Sequence, residues 1–255
     1  MYVDSRGSGP PILFVHGIPT SGQLWRGVID RLAGKFTCIA IDLPGLGRSP
    51  GTPGGLSRID AIVDSIENLR EQLNFDRWHI VGHDAGSAIA VKYAQRFPER
   101  VSGLALLTPS IFPDLKPYYL FQLLRRPLIG ELMAPLVNLI FWNVAMRLAV
   151  GAAGRTVMRD FHAPFSGWRG AWHLMSILRW GNPSQVLASI PLALPEIRVP
   201  TVIFQGSRDV AIPQGFARRA ADLLPNSKLV MLDSGHFIPL NKPACVAEEL
   251  LMFFN

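Results

Sequence analysis

With 255 residues, 49 % of them hydrophobic, the chain can bury a full core, and one α/β domain carrying an insertion is the economical reading. The net charge of +6 sits on no recognisable nucleic-acid-binding module, so no nucleic-acid partner is expected. Cys38 and Cys245 form no disulfide or metal pattern and no apolar signal core follows Met1, which together fit a reducing cytoplasm.

In chain order, Pro11-Ile12-Leu13-Phe14-Val15 is a continuous apolar run of the buried parallel-strand kind, ending in His16-Gly17-Ile18-Pro19-Thr20. Ser21 can cap a helix running to Leu32 and stopping at Gly34. A strand over residues 36–41 leads into the turn-rich Asp42-Leu43-Pro44-Gly45-Leu46-Gly47-Arg48-Ser49. Ile62, Ile66, Leu69 and Leu73 recur at helical spacing and predict an amphipathic helix.

Trp78-His79-Ile80-Val81 then runs into Gly82-His83-Asp84-Ala85-Gly86 and a helix start, the strand, sharp turn and helix of a nucleophile elbow. Asp84 is at the tip. Glycines on either side suit a strained turn in which a Cβ would collide with strand or helix. A carboxylate is already ionised at neutral pH and can attack a saturated carbon directly, giving an ester that an activated water must hydrolyse. His83, on the opposite side of the strand, is expected to be structural, and His16 to hold the loop after the first apolar strand.

After a helix over residues 88–96 and a strand over 101–107, the alternation breaks. Residues 111–192 read as helices rich in Leu, Phe, Trp and Pro, with four of the six tryptophans and eight basic residues against three acidic ones. A basic surface over an apolar underside suits a lid and leaves room for weak contact with a membrane surface. The longest uncharged apolar run there, residues 132–146, contains Pro135, Asn138 and Asn143 and reads as too short to span a bilayer. Strand and helix alternate again from Val199, through Gly206-Ser207-Arg208-Asp209 and Ser234-Gly235-His236, to a last helix from about Pro243.

The expected architecture is therefore α/β: a mostly parallel sheet with helices on both faces, a core domain of residues 1–110 and 193–255, and a helical lid of residues 111–192. Asp84, Asp209 and His236 each fall just after the carboxyl end of an expected strand, where open α/β sheets keep their sites. His236 is the candidate base for the attacking water and Asp209 the residue that orients its imidazole. Backbone N–H groups of Ile18 and Ala85 are candidates for an oxyanion hole. No histidine cluster makes a metal set, and neither a metal nor a cofactor is expected.

At these residues the chain resembles the α/β-hydrolase superfamily, specifically its Asp-nucleophile branch of epoxide hydrolases, haloalkane dehalogenases and fluoroacetate dehalogenases. The resemblance covers nearly the whole chain. It implies a strand before Tyr2, whose absence suggests a trimmed N-terminus. Haloalkane dehalogenases grip the halide with a tryptophan just after the nucleophile, usually helped by an asparagine after His-Gly; here those positions hold Ala85 and Ile18. Trp168 or Trp172 could substitute. Epoxide hydrolases protonate the ring oxygen with lid tyrosines, for which Tyr118 or Tyr119 is the candidate. Met175 stands where a second would come, and His173 could complete a Tyr–His pair. The resemblance thus implies an epoxide hydrolase acting with water on a small lipophilic substrate. Dehalogenation on the same triad is the first alternative, and a non-hydrolytic ligand-binding protein the second.

Overall fold

The computed structural model describes residues 1–51, 59–116, 119–151, 154, 156–179 and 183–254, without the side chains of Tyr119, Leu120, Pro183 and Ser184. Its strands are β1 (Tyr2–Arg6), β2 (Pro11–Val15), β3 (Thr37–Asp42), β4 (Trp78–His83), β5 (Val101–Leu107), β6 (Thr201–Gly206) and β7 (Ser227–Leu232). They form one sheet in the order β1-β3-β2-β4-β5-β6-β7, parallel throughout except where β1 lies antiparallel to β3. The continuous apolar runs became the central strands because both of their faces are covered: Ile12, Leu13, Phe14 and Val15 are fully buried, as are Ile80 and Val81.

The helices α1 (Arg26–Leu32), α2 (Ile59–Gln72) and α3 (Ala85–Arg96) follow β2, β3 and β4. Between β5 and β6 the chain makes α4 (Tyr119–Arg125), α5 (Ile129–Ile140), a π-helical turn Phe141–Ala145, α6 (Met146–Val150), α7 (Met158–His162), α8 (Gly167–Leu178), α9 (Pro183–Val186) and α10 (Ile190–Ala193). The chain closes with α11 (Gln214–Leu223), α12 (Ile238–Asn241) and α13 (Pro243–Phe254). Helix α1 packs on α13 and α2 on α3. The last pair is joined by a small buried network in which Tyr93 and Arg70 both donate to the Glu67 carboxylate.

Two features depart from the pattern in the sequence. Tyr2–Arg6 forms an edge strand although it lacks an apolar run, because an edge strand with one neighbour needs only the half-burial it has. The apolar stretch around residues 132–146 belongs to a longer uninterrupted helical run, Ile129–Val150, of 22 residues. By length and composition that run could cross a bilayer, so the expectation based on 15 residues counted it too short; Pro135 sits inside α5 without ending it. One side of the run packs against α8 and the folded domain, with Ala134, Val137 and Trp142 buried.

Candidate active site

The elbow is built as its sequence requires. After β4 the backbone turns at Asp84 with φ 51° and ψ −121°, and α3 begins at the next residue. A positive φ at a non-glycine residue costs about 1–3 kcal/mol and persists only where its surroundings fix it. Here the Asp84 N–H donates to the Leu107 carbonyl at 3.0 Å, while its own carbonyl accepts from Ser87 N–H at 2.9 Å. A Cβ on Gly82 would lie 2.5 Å from the Gly86 carbonyl oxygen, and one on Gly86 would lie 2.3 Å from that of Val15. Strand and helix meet backbone to backbone at these two glycines.

Asp84 occupies the N-cap position of α3 but makes no side-chain cap bond. The backbone N–H groups of Ala85 and Ile18 lie toward its carboxylate and favour the charged form. Burial pushes the carboxyl group up to about 6, against the pull of His236, with Asp209 adding repulsion. At neutral pH it is therefore still predominantly ionised. The loop that brings Ile18 there hangs on His16, which is fully buried. Its Nδ1–H donates to the Gly17 carbonyl at 2.8 Å, and its Nε2 accepts from Leu43 N–H at 2.9 Å, a pattern that assigns a neutral tautomer. Burial holds His16 below the ordinary histidine range, consistent with that assignment.

Asp209, after β6, has a completely buried side chain whose two oxygens are both engaged. Oδ1 accepts from the N–H groups of Ala211 and Ile212 at 2.8 and 2.9 Å, and Oδ2 accepts from His236 Nδ1 at 3.0 Å. Burial alone would raise this carboxyl group, but the hydrogen bond and charge of His236 and the two N–H groups hold it below its ordinary value. For His236 burial opposes protonation, yet Asp209 and Asp84 outweigh it and its pKa is raised. Its second nitrogen, Nε2, stands 3.9 Å from Asp84 Oδ2.

His83 lies beneath this pair. It is buried, its ring packs 4.9 Å from that of His236 and 5.9 Å from Phe237, and its Nε2–H donates to the His236 carbonyl at 3.1 Å. Burial and the neighbouring His236 push it down to about 3, so it stays neutral and structural. The sequence located His83 off the reacting side, but not its partner 153 residues away.

Asp84, Ala85, Ile18 and His236 border a cavity of about 840 Å³. Its walls are mostly apolar and include Phe121, Phe141, Met146, Leu178 and Leu187 from the inserted helices. Four cations also reach it: Lys116, Arg125, Arg208 and Lys242. Arg208 is paired with Asp233 at 3.0 Å, and Arg125 Nη1 donates to the Leu178 carbonyl at 2.6 Å. Lys116 and Arg125 belong to the basic excess of residues 111–192, which the sequence assigns to the outer surface. Spacing could not have said otherwise, because helical periodicity does not reveal which face of an inserted helix looks into a cavity.

The expected substrate contacts need correction. Trp168, Trp172 and His173 are not among the described residues that border the cavity. Trp168 is 72 % exposed and packs edge-on against Trp172, while His173 Nε2 bonds to the Gly45 carbonyl at 2.7 Å. These side chains pin α8 to the loop after β3 or face solvent. Tyr118 lies outside the described residues, as does the side chain of Tyr119, whose backbone opens α4. No group of three or more metal-binding side chains comes together among the described residues.

This arrangement offers a carboxylate facing an apolar cavity, a histidine oriented by a second carboxylate, and two backbone donors at the first carboxylate. Known proteins share the fold that carries it. A family model for the alpha/beta hydrolase fold matches residues 10–243. A haloalkane dehalogenase of Sphingobium indicum is 30 % identical over 273 residues, covering 99 % of this chain and 90 % of that protein. A cis-3-alkyl-4-alkyloxetan-2-one decarboxylase of Shewanella oneidensis is 28 % identical, covering 92 % and 78 % respectively. The crystal structure of an ancestral haloalkane dehalogenase superposes with a TM-score of 0.83 at 26 % identity, covering 99 % of this chain and 94 % of that one. The chain therefore belongs to the α/β-hydrolase fold family and is a hydrolase of its dehalogenase and epoxide hydrolase branch.

Proposed function

We propose that the protein is a cofactor-free hydrolase that opens a lipophilic epoxide through an ester on Asp84. The observation that carries this reading is the placement of the Asp84 carboxylate on the floor of a mostly apolar cavity, with His236 3.9 Å away. In the first step an Asp84 oxygen bonds to a ring carbon, the ring C–O bond breaks, and the oxygen takes a proton from a lid acid, for which Tyr118 or Tyr119 is the candidate. In the second, water attacks the carboxyl carbon of Asp84 while His236 takes its proton and Asp209 stabilises the imidazolium. The Ile18 and Ala85 N–H groups hold the oxyanion, and its collapse releases the diol and regenerates the carboxylate. The helices of residues 111–192 act as the lid, and their apolar inner wall sets the preference for a lipophilic substrate.

Oxygen is favoured over halide as the leaving atom because Ala85 and Ile18, at the positions where a halide would be gripped, have no side-chain donor. The Shewanella relative is itself named for a dialkyl oxetanone, a strained oxygen ring. Likeness to haloalkane dehalogenases supports a second reading, dehalogenation on the same triad, which halide release from bromoalkanes would reveal. Single turnover of an epoxide panel in oxygen-18 water tests the first. The label should enter the Asp84 carboxylate while the diol stays unlabelled; label in the diol at the first turnover would mean direct attack by water.

A further inference from the structure

The outer face of the Ile129–Val150 run is unusual for a surface helix. Leu132, Leu136, Ile140, Val144 and Leu148 follow one another at steps of four residues and all five are exposed, Leu132 and Leu148 at 81 % and 79 %, with Leu128, 84 % exposed, just before the helix begins. In a regular α-helix a four-residue step drifts round by about 40°. The π-turn Phe141–Ala145, being wider, takes back part of that drift, so the stripe stays on one side for the whole run. Ile129 and Leu139, also exposed, broaden it. Twenty-two residues make a ridge roughly 33 Å long, and a continuous aliphatic surface of this kind marks an interaction site.

Charge decides which partner it fits. The only ionisable side chains within the run are Glu131 and Arg147. Glu131 is neutralised by an ion pair with Arg179. Arg126, just before the stripe, and Arg147, beside Leu148, are exposed and make no ion pair with a described acid. The surrounding segment holds five of the six net positive charges of the chain. An aliphatic ridge with unpaired arginines at both ends matches the boundary between acyl chains and anionic headgroups. A second copy of the chain would have to bring the same arginines against each other. The same run borders the cavity through Phe141, Ala145, Met146, Leu148 and Ala149, so that at its C-terminal end Leu148 belongs to both the stripe and the cavity mouth.

We propose that this face docks on an anionic lipid bilayer, the helix lying in the plane of the interface so that the cavity wall it forms adjoins the acyl chains. This surface does not depend on the chemistry assigned to Asp84. The test is co-sedimentation of the full chain with phosphatidylcholine vesicles, with and without about 30 mol % phosphatidylglycerol. The wild type should pellet with the anionic vesicles, and less so as salt rises. Leu132→Ser, Leu136→Ser and Leu139→Ser combined should lower the bound fraction roughly tenfold or more, with an unchanged circular dichroism spectrum because all three side chains are exposed. Arg126→Gln with Arg147→Gln should remove the preference for anionic lipid. Wild type remaining in the supernatant with both vesicle types would overturn the proposal. So would a dimer that the triple serine variant converts to monomer, since the stripe would then be a contact between copies.

Discussion

His236 Nε2 stands 3.9 Å from Asp84 Oδ2, too far for a hydrogen bond yet close enough for each charge to govern the other. The Asp84 charge helps raise the pKa of His236. In the proposed reaction esterification of Asp84 removes that charge, so the imidazole becomes easier to deprotonate at the moment when a neutral base is needed. Asp84→Asn removes the charge permanently. In this variant His236 should titrate at lower pH than in the wild type, as followed by histidine NMR; an unchanged or higher titration point would contradict the coupling.

The same carboxyl group sets the acid limb of the first step. In the proposed reaction Asp84 must be ionised to attack, and burial pushes it up to about 6. The rate of ester formation, measured in single turnover, should therefore fall as pH drops through about 6. A rate constant flat down to about pH 4, where an ordinary Asp still ionises, would contradict this.

Stability should move against activity at this position. A folded-state pKa above the unfolded value means that the native state holds the proton more tightly, so Asp84 costs stability once pH exceeds about 6 and costs little below about 4. Asp84→Asn should raise Tm by about 5 °C at pH 8, shrinking toward zero near pH 4. Thermal unfolding at the two pH values checks both sign and window.

Much of this was legible in the sequence, for an identifiable reason. Buried parallel strands need continuous apolar runs, so Pro11–Val15 and Val101–Leu107 stand out, and the elbow needs glycines at 82 and 86 because backbone approaches backbone there. Asp84, Asp209 and His236 come together as their positions after strand ends suggested. What was not legible depends on orientation. Trp168 looked like a substrate contact but faces solvent, while Arg125 looked like surface charge but borders the cavity. The α12 turn after His236 and the His83 contact to the His236 carbonyl are set by tertiary packing across the sheet, with no local signal.

Gly17 is a further place where close approach leaves no slack. A Cβ there would lie 2.5 Å from Asp84 Cβ and 2.9 Å from the His83 carbonyl oxygen. Gly17→Ala should displace the carboxylate or the Ile18 donor and lower kcat/KM by about a hundredfold, with secondary structure retained by circular dichroism. Near wild-type turnover would mean that the loop after β2 is not part of the machinery.

His83 should act on catalysis only through His236. His83→Phe keeps an aromatic ring against Phe237 but removes the N–H that binds the His236 carbonyl. Hydrolysis of the ester should slow about tenfold, with little change in KM. An equal loss in ester formation and hydrolysis would indicate a general disturbance of the core instead.

The covalent bond proposed at Asp84 is tested most directly by the intact mass of His236→Gln after incubation with a substrate epoxide. Without its base the ester cannot be hydrolysed, so the protein should gain the mass of one substrate molecule, mapped by peptide digestion to the segment carrying Asp84 and absent when Asp84 is also changed to Asn. Diol formation by the wild type with no adduct on His236→Gln, or an adduct on another residue, would contradict it.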